Sequence, residues 1–303
     1  MALSTKIIKK RIRSIGNTKK ITKAMEMVSA AKMRKAVNAV LSSRHYSKTA
    51  WQTVMNLVQK IDATHHPLLQ PKEKIETAAI ILISGNKGLC GGFNSHAVAK
   101  ALEYSRELKE KGVEKQNWIV MGKKGGESLT RSKKNIELDF VKPDLIEGVA
   151  DVLDLSKMMI QGYLTGQYDQ VSIVYTDFTS PLKQEPMVKQ LLPLTQSPDE
   201  SLGQTAGTKE EKPSADTNEY IFEPDIKKVL NHFLPRLIEV QLYQALLESN
   251  ASEHSARMMA MKNASESAND MIAELTLIYN QARQASITRE IAEISGGKAA
   301  IEA

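Results

Sequence analysis

The chain has 303 residues, 42% apolar and 25% charged, with a net charge of +6, enough to bury a core in about two domains and too apolar for global disorder. Its single cysteine, Cys90, excludes an internal disulfide framework and a cysteine-built zinc site, and points to a reducing, cytosolic-side location. No apolar run reaches the roughly 20 residues that cross a bilayer, no secretory signal is expected, and the six histidines show no metal-ligand spacing.

From about Ser4 to Ile61 there is no proline, and Gly16 is the one glycine. Apolar or small residues recur at Ile21, Ala24, Val28 and Ala31, then at Trp51, Val54, Val58 and Ile61, in steps of three and four. That is a coiled-coil seam, on a helix of about 85 Å. Pro67 and Pro71 close the segment. The first 50 residues hold thirteen Lys or Arg against one acid, Glu26, leaving +12, while the rest of the chain sums to −6. Such asymmetry suits an acidic partner: nucleic acid, an anionic membrane or an acidic protein surface. A solvated helix face is the alternative.

Between residues 72 and 195 the period changes. Short apolar runs at 78–84, 118–122, 136–141 and 171–178 alternate with helical stretches at 95–111, 126–133 and 148–163. This alternation predicts a mostly parallel, Rossmann-like α/β sheet, with a last strand at 186–194 antiparallel to the fourth. Residues 196–218 are polar and rich in Ser, Thr, Gly and Pro, a loop or linker. After Pro224 a helical pattern runs to Ser295, where Gly296 and Gly297 are expected to stop it, with a kink at Pro235. Its seam reads Met261, Ala264, Ala268, Met271, Leu275, Ile278, Ala282 and Ala285. The fold expected is a long antiparallel coiled coil of N- and C-terminal helices (1–66 and 224–303) joined to a central α/β domain (72–195) and a polar loop (196–218). Core helices of a larger bundle are the alternative, though a bundle would want more Leu and Ile on the seam.

The chemical motifs are weak. SGNKGLCGGFN (84–94) stands where a phosphate loop would, after a strand and before a helix, but no G-K-[ST] closes it and no G-x-G-x-x-G spacing occurs. GKKGGES (122–128) has the same deficiency. The glycines read as a tight strand-to-helix turn, and Cys90 within it as a small buried thiol rather than a nucleophile. His65 and His66 read as surface polarity beside Pro67, and Glu210 with Glu211 lies in the polar loop, where nothing orients a carboxylate pair. Met25, Met27, Met33, Met258, Met259 and Met261 read as adaptable contact residues or core. A nucleotide-binding enzyme lacks its loop here, and a basic coiled-coil nucleic-acid binder leaves the α/β middle unexplained. A scaffold protein stays open.

ITKAMEMVSAAKMRKA (21–36), GLCGGFN (88–94), ARMMAMKNASESAND (256–270) and YNQARQASITREIAEISGG (279–297) closely resemble the gamma subunit family of F-type ATP synthases, over essentially the whole chain. The resemblance implies a non-catalytic rotor shaft without cofactor or metal. It implies a coiled coil inside a ring of three alpha and three beta subunits, and an α/β foot on the epsilon subunit and the c-ring. Proton-driven rotation would then be coupled to ATP synthesis on beta. No nucleic acid is implied, and the membrane is met only through the c-ring, at the cytoplasmic face of the bacterial inner membrane. By motif match Met25 faces acidic beta loops, and Arg257, Arg283, Gln284, Thr288 and Glu290 make rotor–stator contacts. Two departures stand out: Asn86-Lys87 precedes GLCGG where relatives often carry an acid and Arg, and the chloroplast-type regulatory cysteine pair is absent.

Overall fold

The computed structural model describes residues 5–60, 66–72, 74–146, 148–194 and 225–302, with the side chains of 45–48, 50–60, 226–227 and 296–302 left aside. The expected loop at 196–218, and the seam positions Trp51, Val54, Val58 and Ile61, lie outside the described residues or side chains. In chain order the elements are α1 (Thr5–Lys60), a 3-10 turn (Pro67–Leu69), β1 (Thr77–Ile83), α2 (Phe93–Glu110), β2 (Lys115–Met121), α3 (Lys123–Arg131), β3 (Ile136–Phe140), α4 (Ala150–Leu164), β4 (Gln170–Phe178), β5 (Gln184–Leu192) and α5 (Ile226–Glu302). Two compact units result: Met1–Ser29 with Met258–Ala303, and Ala30–Arg257.

The larger unit is built on one five-stranded sheet of order β3-β2-β1-β4-β5. β1 runs parallel to β2 and β4, β2 parallel to β3, and β5 antiparallel to β4. Both faces of β1 are covered, which is why its sequence is a continuous apolar run instead of an alternation. Ala79, Ile81 and Ile83 face a core closed by α4 (Val152, Leu155, Met159) and by Leu230, Leu234, Leu237 and Ile238 of α5. Ala78, Ile80 and Leu82 face the other, closed by Ala97, Val98, Ala101 and Leu108 of α2 and Leu129 of α3. The short link between β4 and β5 can only turn the chain back, so β5 is antiparallel, as its position after the fourth strand predicts. At the opposite end of the sheet the Asp169 carboxylate accepts Glu76 N–H, Thr77 N–H and Lys72 Nζ at 2.9, 2.8 and 2.6 Å, clamping the entry to β1.

Within this unit α1 and α5 pack antiparallel. Val40 meets Leu247 and Ala251, and Ser43 donates to Gln244 at 2.7 Å. Within the smaller unit Ile8, Thr22 and Ser29 of α1 are buried, as are Met261, Ser265 and Ala268 of α5, and the Thr22 and Ser265 hydroxyls share a 2.7 Å hydrogen bond.

Three expectations need correction. The α1 seam is displaced: Ile21 and Val28 are 61% and 57% exposed, Ala24 and Ala31 are exposed too, and Ile8, Ile15, Thr22 and Ser29 point inward instead. In α5, Met261, Ala268, Leu275 and Ala282 do point inward, but Ser265, Ile272 and Tyr279 stand where Ala264, Met271 and Ile278 were expected, and Ala285 is exposed. Small hydroxyl residues let two backbones approach closely and bond to each other, so the seam is not the most apolar stripe. Gly296 and Gly297 do not stop α5, which runs on to Glu302; two glycines cost a helix only about 2 kcal/mol, and Lys298, Ala299 and Ala300 continue it well. His66 is buried, its Nδ1 accepting Leu68 N–H at 3.2 Å, and burial lowers its pKa.

Candidate functional site

From Ser249 to Arg257 α5 changes from apolar to small and polar (SNASEHSAR), yet these residues are buried apart from half-buried Ala256. The reason is what they lie against. α5 crosses the carboxyl ends of the parallel strands, where strand-end carbonyls and loops need donors. Ser252 Oγ donates to Thr176 O and Asp177 O at 3.2 and 3.1 Å, Ser255 Oγ to Pro181 O at 2.8 Å, and Asn250 Nδ2 to Pro143 O at 3.2 Å. In an open α/β sheet this end, beside the strand where the winding reverses, is where a ligand sits. Here the chain's own helix fills it.

The glycine loop after β1 is built to match. Asn94 holds it, Oδ1 accepting Gly85 N–H at 2.8 Å and Nδ2 donating to Lys87 O and Cys90 Sγ at 3.3 and 3.2 Å. Leu89 and Gly91 take positive φ of 62° and 55° to complete the turn. A phosphate loop aims N–H groups at its ligand. This loop aims carbonyls at a cation: Arg257 Nε reaches Gly88 O at 3.3 Å, and its Nη2 reaches Lys87 O at 3.4 Å. After β2, Gly122 has φ 115° and a Cβ there would overlap the Ser84 carbonyl. The first N–H groups of α3 are already taken, Lys123 by Asn86 Oδ1, Lys124 by Gly85 O and Gly125 by Ser84 Oγ. Cys90 is buried, and burial pushes its thiol pKa up.

Two buried charge clusters lie along this stretch of α5. In the first, Glu253 divides its carboxylate, Oε2 to Lys142 Nζ at 2.8 Å and Oε1 to Arg257 Nη2 at 2.7 Å. Burial disfavours the Glu253 charge, but two cations outweigh it and carry its pKa to about 2; Lys142, fully buried with one carboxylate, has its own pKa lowered. The Phe93 ring lies 5.4 Å from Lys142 Nζ. In the second, Arg44 Nη2 donates to Glu248 Oε1 at 3.2 Å and lies 3.9 Å from Asp177 Oδ1, while Gln244 Nε2 donates to Glu248 at 2.7 Å. Burial, with the Asp177 charge added, pushes the Glu248 pKa up to about 7. Beside the first cluster His254 is buried, with Nδ1 unpartnered among the described residues, and burial lowers its pKa to about 4.

Of the residues singled out from sequence, Arg257 belongs to the first cluster, with its guanidinium engaged inside the chain. Met25 is half-buried on α1 in the smaller unit. Arg283, Gln284, Thr288 and Glu290 are all exposed on α5, in a stretch where every described side chain from 283 to 295 is exposed. Thr288 Oγ1 bonds back to Gln284 O at 3.0 Å and Glu290 Oε1 accepts from Ser286 at 3.3 Å, so the Gln284 amide and the Arg283 fork point outward without an intrachain bond among the described residues. Lys142, Glu253, Glu248 and Arg44 were not singled out from sequence. The i,i+4 spacing of Glu253 and Arg257 inside a run of serines was the one available signal, and their partners are distant in sequence. Among the described residues no group of three or more His, Cys, Asp or Glu could hold a metal ion, and no helix is long and apolar enough to cross a membrane.

The sequence matches the ATP synthase family over residues 4–301. It is 43% identical to the ATP synthase gamma chain of Pelotomaculum thermopropionicum, with 99% of each chain covered. It is 40% identical to the ATP synthase gamma chain of Herpetosiphon aurantiacus over 98% of this chain and 99% of that one. The chain belongs to the ATP synthase gamma family. The fold agrees: a chain of the Euglena gracilis mitochondrial ATP synthase (OSCP/F1/c-ring) superimposes with TM-score 0.64 at 18% identity, covering 98% of this chain and 94% of that one. A chain of the Tetrahymena thermophila central stalk and c-ring superimposes with TM-score 0.60 at 22% identity, over 81% and 99%. A gamma-family chain is a stalk subunit and not itself an enzyme, which suits a sheet whose ligand crevice is closed by its own helix.

Proposed function

We propose that this gamma-family chain is the central rotor shaft of an F-type ATP synthase, coupling rotation of the c-ring to ATP synthesis on the beta subunits. It would bind the alpha–beta ring, the epsilon subunit and the c-ring, at the cytoplasmic face of a bacterial membrane. The observation that carries this reading is the pairing of two helices of 56 and 77 residues, far longer than a five-stranded sheet needs, in a chain of this family. Two supercoiled helices resist twisting where one would flex. Functionally the chain would divide as 1–66 and 224–303 for the shaft, 72–195 for the foot, and 196–218 for a loop.

The apolar stripe left bare on α1 (Ile21, Ala24, Val28, Ala31) suits a sleeve of partner subunits, because a patch of this kind on a single chain marks an interaction surface. A rotor that meets three identical partners in turn needs shallow contacts that break readily. Exposed small and apolar side chains with a few polar ones meet that need. Met25, Arg283, Gln284, Thr288 and Glu290 would contact the stator directly, and Arg257 would act from within the chain. The test is co-expression with alpha and beta subunits. A 3:3:1 complex that hydrolyses ATP and turns a bead fixed to this chain is expected. An active complex in which the chain does not turn, or from which it is absent, would overturn the reading.

A further inference from the structure

Where α5 crosses the sheet, Ser252, Ser255 and Asn250 reach it through neutral hydrogen bonds to backbone carbonyls. Such bonds exchange readily for neighbouring carbonyls when a helix turns about its axis. The Lys142–Glu253–Arg257 cluster is different. It ties three separate parts of the unit together: the loop after β3 through Lys142, the loop after β1 through the Lys87 and Gly88 carbonyls on Arg257, and α5 through Glu253. All three side chains are buried, at 2, 5 and 9% exposure. Gly85 makes room, since a Cβ there would lie 2.9 Å from Glu253 Oε1. Turning α5 would pull Glu253 off Lys142 and leave the buried Lys142 ammonium unpaired, the costliest failure such a contact has. Glu253 also holds Arg257 one turn further along the same helix, so both grips are on α5 itself.

We infer that Lys142, Glu253 and Arg257 form the joint that fixes the rotational angle of α5 on the sheet, so that torque entering the α/β domain leaves through α5 without slip. This rests on the rotor reading above. It makes Lys142 and Glu253 positioning residues for energy coupling, and it gives Arg257 a place inside the rotor and not against the stator.

The test uses the whole synthase in vesicles, comparing ATP hydrolysis with ATP-driven ion pumping. Lys142→Met is expected to keep hydrolysis within about twofold of wild type while lowering ions pumped per ATP at least threefold, with Lys142→Arg restoring the ratio. A general structural lesion would lower hydrolysis and pumping together or prevent assembly, and would not change their ratio. An assembled Lys142→Met enzyme with the wild-type ratio would overturn the joint. Should Lys142→Met not assemble, the near-isosteric Glu253→Gln carries the same comparison: a reduced ratio supports the joint and a wild-type ratio overturns it. A wild-type complex that hydrolyses ATP but neither pumps nor rotates would instead refute the rotor reading, whatever the variants do.

Discussion

Glu248 sits where two carboxylates compete for one guanidinium, and its protonation is therefore tied to folding. Its pKa in the fold is about 7, against an ordinary 4.5, because burial and the Asp177 charge both oppose ionisation. A carboxyl whose folded pKa is raised contributes stability that is fully present below pH 4.5 and is lost as pH rises through 7. His254 works the other way: with a folded pKa near 4 against 6.5, its contribution is complete above pH 6.5 and is lost as pH falls toward 4. Because the two oppose each other, total stability hides both, and single variants separate them. Glu248→Gln keeps the shape and removes the charge. Its stability relative to wild type is expected to rise between pH 4.5 and 7, by at most about 3 kcal/mol, measured from guanidinium midpoints at several pH values. A difference that does not vary with pH would show that Glu248 does not titrate in this window. At the other end of α5, Arg283 and Gln284 are exposed, and among the described residues their side chains make no hydrogen bond or ion pair. Replacing both with Ala is expected to leave assembly with alpha and beta unchanged and to lower ATP turnover, since charged hydrogen bonds of about 1.5–3 kcal/mol would no longer bias a rotor angle. Unchanged turnover in an assembled double variant would make them bystanders.

Among the elements, α1 shows what periodicity can and cannot tell. The stripe Ile21, Ala24, Val28, Ala31 is a regular heptad, and the inward face is the stripe one residue on, through Thr22 and Ser29. Both stripes repeat in threes and fours, so spacing reveals the helix and its length but not which face meets α5. That choice depends on the partner: Thr22 is inside because Ser265 is opposite it. The sheet was more legible. Each strand lies within a few residues of its expected place, β1 and β4 because strands covered on both faces are largely apolar and the edge strand β3 because its apolar residues alternate, and the alternation with helices implied the parallel order. The buried charge clusters were not legible, since Lys142 and Arg44 meet their partners on α5 only once the sheet and the helix pair have formed. The two faces of α1 give a direct comparison. Ile8→Ala, at a position 2% exposed, is expected to destabilise the chain by about 2–4 kcal/mol. Ile21→Ser is expected to change chain stability by no more than about 0.5 kcal/mol and to weaken assembly with alpha and beta instead. Equal losses of stability in denaturant titrations would mean that both faces are packed in the free chain.

For the molecule as a whole, the consequence of α5 lying across the carboxyl ends of the strands is that the place where such a sheet takes a ligand is occupied by the chain itself. ATP could enter only by displacing α5 from the carboxyl ends of the strands. That would separate Lys142 from Glu253, and a buried charge left without its partner costs roughly 3–5 kcal/mol, before the serine and asparagine contacts are counted. A ligand with an intrinsic affinity of about 1 μM has roughly 8 kcal/mol available, so that cost alone would leave the site at roughly 0.2–5 mM, and losing the serine and asparagine contacts would weaken it further. Nor does the loop after β1 offer such affinity, because it turns the Lys87 and Gly88 carbonyls toward Arg257, and the first N–H groups of α3 are already bonded. The purified chain is therefore expected to give no saturable heat with ATP or ADP below about 1 mM, with or without magnesium, in titration calorimetry. Saturable binding in the micromolar range would mean that α5 leaves the crevice at little cost. The joint between helix and sheet would then be a gate and not an anchor.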